Sequence, residues 1–160
     1  MKKICVIKIG GAVLLTKRSK LDEYRIAHIV SQVAHLRKAH MGIILVVSGA
    51  VGCGFPHIDL SSGKTLHKQL AAGIGQIYLT SAFHRLFKEK GIQIAQILLN
   101  KHDVEMANMS SVLQSYVDAD IIPFVNENDV VHLNNFKGND YLGAIIASQI
   151  KAHIFVMLST

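Results

Sequence analysis

The chain has 160 residues, half of them hydrophobic, and 17 Lys and Arg against 11 Asp and Glu give a formal net charge of +6. That predicts one domain with a sizeable core, without the composition of a disordered chain. No apolar run reaches the roughly 18 residues that span a membrane, and the basic residues are scattered, with no tryptophan, which argues against nucleic acid.

The opening run Ile4–Ile9 is apolar except for Lys8 and ends in Gly10-Gly11. It is too short and too interrupted for a signal peptide and reads as a buried strand of a cytoplasmic protein. Leu21 to His40 predicts a helix with Leu21, Ile26, Ile29, Val30, Val33 and Leu36 on one face, capped by Asp22 and ended by Gly42. Ile43–Val47 is a second strand, followed by Ser48-Gly49-Ala50. A long helix follows from about Lys64 to Glu89, ended by Gly91. Gly73 and Gly75 inside it each cost about 1 kcal/mol against alanine, which predicts close packing on a neighbouring helix, from this chain or another subunit. Ile92–Leu99 reads as a third strand and Met109 to Val117 as a helical face. Ile121–Val125 is a fourth strand, with Pro123 fitting an edge or a strand end. Val130–Phe136 suggests a hairpin or excursion, Leu142 to Ile150 a further helix, and Ile154–Leu158 a buried fifth strand. Strands rich in Ile and Val alternating with helices predict a mainly parallel sheet covered on both faces.

Cys5 and Cys53 are expected as buried thiols, since two cysteines make no zinc site and cytosolic disulfides are rare. The nine histidines show no metal-ligand spacing, and no metal-binding residues are expected.

Ligands of open parallel sheets bind beyond the carboxyl ends of the strands. That rule selects Lys8 to Gly11, Ser48 to Ala50, Asn126 to Asp129 and Gly138 to Asp140. A lysine inside a buried strand must desolvate its ammonium and needs a partner. Two following glycines free the backbone to approach phosphate oxygens. The spacing is not that of a Walker A loop, and Gly52-x-Gly54 is no dinucleotide fingerprint. Asp140 opens a helix, either as a plain cap or to order cationic groups around a transferring phosphoryl group.

In order, Lys8-Ile9-Gly10-Gly11, Val47 to Val51, Gly73-Ile74-Gly75-Gln76, Pro123 to Asp129 and Asn139-Asp140 resemble the motifs of the glutamate 5-kinases, within the amino acid kinase superfamily. The resemblance implies a three-layer αβα sandwich with a mainly parallel sheet. It also implies ATP- and Mg2+-dependent phosphorylation of the γ-carboxylate of L-glutamate, the first step of proline synthesis. By matching positions, Lys8 and Asp140 would be catalytic. Ser48, Asp129 and Asn139, with Gly49 and Ala50, would bind glutamate, Asp129 taking the α-amino group. Lys8, Gly10, Gly11, Ser159 and Thr160 would contact ATP. Residues 1–160 are then expected to form the substrate-binding portion of the kinase domain, truncated before a nucleotide-binding lobe. Such a portion should be inactive alone and should form a homo-oligomer or pair with a chain carrying that lobe. The chain departs from the family pattern with Gly11 in place of serine, Lys137-Gly138 in place of Gly-Asp, and Ser159-Thr160 in place of Thr-Asp. An isopentenyl phosphate kinase-like enzyme, suggested by Gly52 to His57, and a non-catalytic glutamate- or proline-binding module are the alternatives.

Overall fold

The computed structural model describes residues 2–58, 64–105, 108–131, 133 and 138–160. The chain alternates strand and helix. In order it runs β1 (Ile4–Ile9), α1 (Gly11–Leu14), α2 (Glu23–Lys38), β2 (Gly42–Val47) and α3 (Ala50–Gly54). After a short 3₁₀ turn at Phe55–His57 come α4 (Lys64–Lys88), β3 (Ile94–Leu99), α5 (Lys101–Glu105), α6 (Met109–Asp118), β4 (Ile122–Glu127), α7 (Asn139–Gln149) and β5 (Ile154–Leu158). The five strands form one all-parallel sheet in the order β3-β4-β2-β1-β5.

Side chains alternate across a strand, and the two resulting sets fill two cores. Cys5, Ile7, Ile9, Ile43, Leu45 and Phe124 face the side covered by Ile26, Val30 and Val33 of α2 and by Leu79, Phe83 and Phe87 of α4. Ile4, Val6, Ile44, Val46 and Val125 face Leu113 and Val117 of α6 and Leu142 and Ile146 of α7. This is the expected three-layer αβα arrangement. Strands β1, β2 and β4 are buried along their full length, so their near-continuous apolar runs follow from having a helical layer on each face.

Several local expectations are corrected. Helix α2 starts as expected, with the Asp22 carboxylate accepting from the Arg25 N–H at 3.1 Å. It ends at Ala39 and His40, the latter at φ 59°, while Gly42 opens β2. A Cβ at Gly42 would come 2.5 Å from Val117 Cγ1, so this glycine is a packing requirement of α6. Pro123 lies in an interior strand, but as its second residue, opposite Ala95 of β3 and just before the β2 pairing at Phe124. Gln93 and Ile92 precede β3. Strand β5 is a half-exposed edge with Ile154 and Met157 open to solvent, because β1 alone flanks it. Gly75 is packed against α3 of the same chain. A Cβ there would stand 1.8 Å from the Ala50 carbonyl oxygen, whereas one at Gly73 would meet only Val130 Cγ2 at 3.6 Å. Most of the expected excursion at Val130–Phe136 lies outside the described residues; Val130 and Val131 are in a turn. Cys5 and Cys53 are free and buried, and burial raises both thiol pKa values. No described helix is long and apolar enough to cross a membrane.

Candidate active site

Because every strand is parallel, the loops after β1, β2 and β4, the end of β5 and the head of α7 meet at one end of the sheet. Lys8 points to the α7 side, as its even position in β1 dictates. It is only 8% exposed, and its ammonium reaches Asp140 Oδ1 at 2.5 Å. The Asp140 side chain is itself 68% exposed, so the pair opens toward solvent at the first turn of α7. Gly143 of α7 makes room chiefly for the Phe155 ring beside the lysine stem. Positions three apart share a helix face, so Gly143 lies beneath Asp140. A Cβ at Gly143 would be 3.5 Å from Lys8 Cβ and 3.1 Å from the Phe155 ring.

The loops after β1 and β2 touch backbone to backbone. A Cβ on Gly11 would come 3.1 Å from Gly49 Cα, and one on Gly49 would come 3.3 Å from Gly11 Cα. Gly49 also holds φ +114°, a conformation that side chains disfavour. At so close an approach, any side chain at position 11 would need the loops to part slightly. Gly10 directs its N–H to the Leu158 carbonyl at 2.9 Å. That donor therefore ties the β1 loop to the end of β5 and is not free to meet a phosphate. A Cβ at Gly10 would stand 3.5 Å from Lys8 Nζ, so the β1 loop lies directly against the ammonium. Ser159 and Thr160 lie exposed just beyond β5.

A line of buried polar side chains crosses the sheet end. Asn139 Nδ2 donates to Ser48 Oγ at 2.9 Å and to Asn126 Oδ1 at 2.8 Å. Asn126 Nδ2 donates to Gln76 Oε1 at 2.7 Å, and Gln76 Nε2 donates to Thr80 Oγ1 at 3.0 Å. Asn126, Glu127 and Gln76 are all buried, where a polar group requires such partners.

The structure thus brings Lys8 beside Asp140 and Ser48 beside Asn139, with Gly10, Gly11, Gly49 and Ala50 in the adjoining loops. Asp129 is half-buried in the turn after β4. Sequence reasoning left Gln76, Thr80 and Gly143 without a place in the site. A signal for Gln76 existed: Ala72, Leu79 and Phe83 are buried at helical spacing around it, so it is a polar interruption of an inward stripe. His57, from the segment that suggested an isopentenyl phosphate kinase-like enzyme, is exposed and stacks on Tyr78 with ring centroids 4.4 Å apart.

Comparison with known proteins places this geometry. A glutamate 5-kinase of Clostridium acetobutylicum is 40% identical over 162 aligned residues, covering 96% of this chain and 61% of that protein. One of Clostridium tetani is 34% identical, covering 98% of this chain and 62% of that protein. The chain therefore spans under two-thirds of the length of these relatives. The crystal structure of UMP kinase from Ureaplasma parvum superposes on all of this chain and 70% of its own, with a TM-score of 0.69 and 14% identity, a likeness of fold. The profile of the amino acid kinase family matches residues 3–160, and the chain belongs to that family.

Proposed function

We propose that this chain forms the acceptor-binding and phosphate-facing portion of a glutamate 5-kinase, which transfers the γ-phosphoryl group of ATP to the γ-carboxylate of L-glutamate. The observation that carries the reading is the adjacency of Asn139 and Asp140. One residue is bonded to Ser48 and the next to the Lys8 ammonium, so polar acceptor groups and a buried cation meet at one helix head. The named relatives supply the substrate.

In the proposed reaction a γ-carboxylate oxygen of glutamate attacks the γ-phosphorus of ATP. The bond from that phosphorus to the bridging oxygen breaks, and ADP leaves with the electron pair. A glutamate carboxylate, with an ordinary pKa near 4.3, is already ionised at neutral pH. The nucleophile therefore needs no general base, and Asp140 is left to hold Lys8 in place. Catalysis of this kind is mainly positioning and charge stabilisation, and the Lys8 ammonium supplies the charge beside the Gly10 loop. The described residues contain no group of three or more His, Cys, Asp or Glu that could hold a metal. Magnesium fits here as an ion carried on the nucleotide phosphates, where it neutralises charge. Asp129, Gly11, Ser159 and Thr160 keep their proposed roles toward the glutamate amino group and ATP.

Assembly is part of the proposal. Edge strands offer unpaired backbone groups, and Ile154 and Met157 are exposed on β5, which supports contact with a second polypeptide. Sedimentation velocity of the wild type against Ile154→Lys tests it: a larger species is expected that the charge disperses, and a monomer in both refutes it. For the reaction, calorimetric titration with L-glutamate is decisive. Binding that is lost in Ser48→Ala is expected, and a wild-type chain that binds no glutamate refutes the reading. With ATP and magnesium, γ-glutamyl phosphate trapped as hydroxamate reports turnover.

A further inference from the structure

The buried carboxamides have a polarity that a single backbone group dictates. The Glu127 N–H can only donate, and it donates to Asn126 Oδ1 at 2.9 Å. Asn126 must therefore turn its oxygen toward Glu127 and Asn139, and its Nδ2 toward Gln76. Gln76 must in turn present Oε1 to Asn126, which leaves its Nε2 for Thr80. On the other side, Asn139 must offer Nδ2 to the Asn126 oxygen. Its second amide hydrogen goes to Ser48 Oγ. Both hydrogens of the Asn139 amide are then used, and no choice of orientation remains at any link.

The consequence falls on Asn139 Oδ1. That atom is buried and, among the described residues, has no hydrogen-bond partner. A buried acceptor left unmade is costly, and this one sits beside Ser48, whose oxygen already accepts from Asn139. The serine hydroxyl hydrogen is free to donate elsewhere. Asn139 and Ser48 thus offer one unused acceptor and one unused donor side by side.

We propose that Gln76 is a positioning residue that locks Asn139 with its oxygen toward the acceptor substrate, so that Asn139 receives an N–H of that substrate. Resting on the glutamate reading above, this assigns Asn139 Oδ1 to the α-ammonium and the Ser48 hydroxyl to a carboxylate oxygen. The same two side chains, read from residue type alone, would both be donors to carboxylates. The polarity of the chain excludes that for Asn139.

The test is calorimetric titration of the chain with L-glutamate and with glutarate, which has both carboxylates and no ammonium. A hydrogen bond to a charged group corresponds to about tenfold or more in affinity, so wild type should prefer L-glutamate by that factor. Gln76→Glu still accepts from Asn126 Nδ2 and should keep the preference. Gln76→Met, similar in length but without an acceptor, strands Asn126 Nδ2 and lets that side chain swing away from Asn139 while its oxygen stays on the Glu127 N–H; this should bring the ratio toward one, with glutarate affinity nearly unchanged. A purely structural role for Gln76 would weaken both ligands together. Should Gln76→Met fail to fold, Thr80→Val removes the far anchor of Gln76 and should lower the ratio partway. An undiminished ratio in Gln76→Met, or in Thr80→Val where that variant stands in, overturns the inference and leaves the glutamate reading intact. A wild type that binds both ligands equally overturns the inference as well. A wild type that binds neither overturns both.

Discussion

Alanine at Gly75 and alanine at Gly73 should have opposite effects on stability, although the two residues are two apart in one helix. In an exposed helix interior, glycine to alanine gains about 1 kcal/mol. At Gly73 the new methyl would meet only Val130 Cγ2, at 3.6 Å, so the gain should survive. At Gly75 the methyl would fall 1.8 Å from the Ala50 carbonyl oxygen and 2.5 Å from the Gly54 nitrogen. Ordinary contact begins near 3.5 Å, so α4 would have to retreat from α3 by well over 1 Å. Both obstacles are backbone, and no rotamer change relieves them. Overpacking of this kind costs about 1–3 kcal/mol and occasionally more, and with a rigid obstacle the upper end applies. Set against the propensity gain, a net loss of about 2 kcal/mol is expected. For a domain of this size that lowers the melting temperature by about 4–8 °C, while Gly73→Ala should raise it by about 2–4 °C. Urea unfolding followed by circular dichroism gives the two midpoints, and unchanged slopes would show that the folded state alone moved. Gly75→Ala as stable as Gly73→Ala would refute the reasoning. The perturbation would also reach the site, since Gln76 adjoins Gly75 and α3 begins directly after Ser48-Gly49.

Two further outcomes follow from the electrostatics. Lys8→Met keeps the buried stem apolar and removes a desolvated ammonium, whose partner Asp140 is solvent-exposed; breaking such a pair should leave thermal stability unchanged or slightly higher. Its glutamate affinity should stay within about threefold, a loss under 0.7 kcal/mol, and a large fall in either quantity would give Lys8 a different role. Asp120 has its pKa lowered by its hydrogen bond to Lys2 and by the charges of Lys2 and Arg37. A carboxylate with a depressed folded pKa stabilises above its unfolded value and loses that contribution as pH falls through the folded one. Asp120→Asn should therefore unfold at lower urea than wild type at pH 7, with the gap closing below the usual carboxylate range and in high salt. A gap that widened on acidification would contradict the assignment.

The period of the hydrophobic pattern was enough to determine the class of this protein. Runs such as Ile43–Val47 can be buried on both faces only in a parallel sheet between helical layers, and that placed Lys8, Ser48, Asn126 and Asp140 at strand ends, where such sheets bind ligands. Asp22 was legible as a cap because its interaction is local, three residues ahead. What pattern could not reveal were relations between segments distant in the chain. Gly42 looked like a helix stop, and only the approach of Val117 makes it a packing glycine at the start of β2. Gly73 and Gly75 looked alike, and the position of α3 separates them. Ile154–Leu158 read as buried, but strand order put it at an edge. In the site, the strand-end rule and the family resemblance identified Asn139 as a polar group near a ligand without saying which end of its amide faces in. That orientation comes from the Glu127 N–H acting through Asn126, with Gln76 holding Asn126 from across the core. Hydrogen-bond direction is a property of the assembled network, and no single residue carries it.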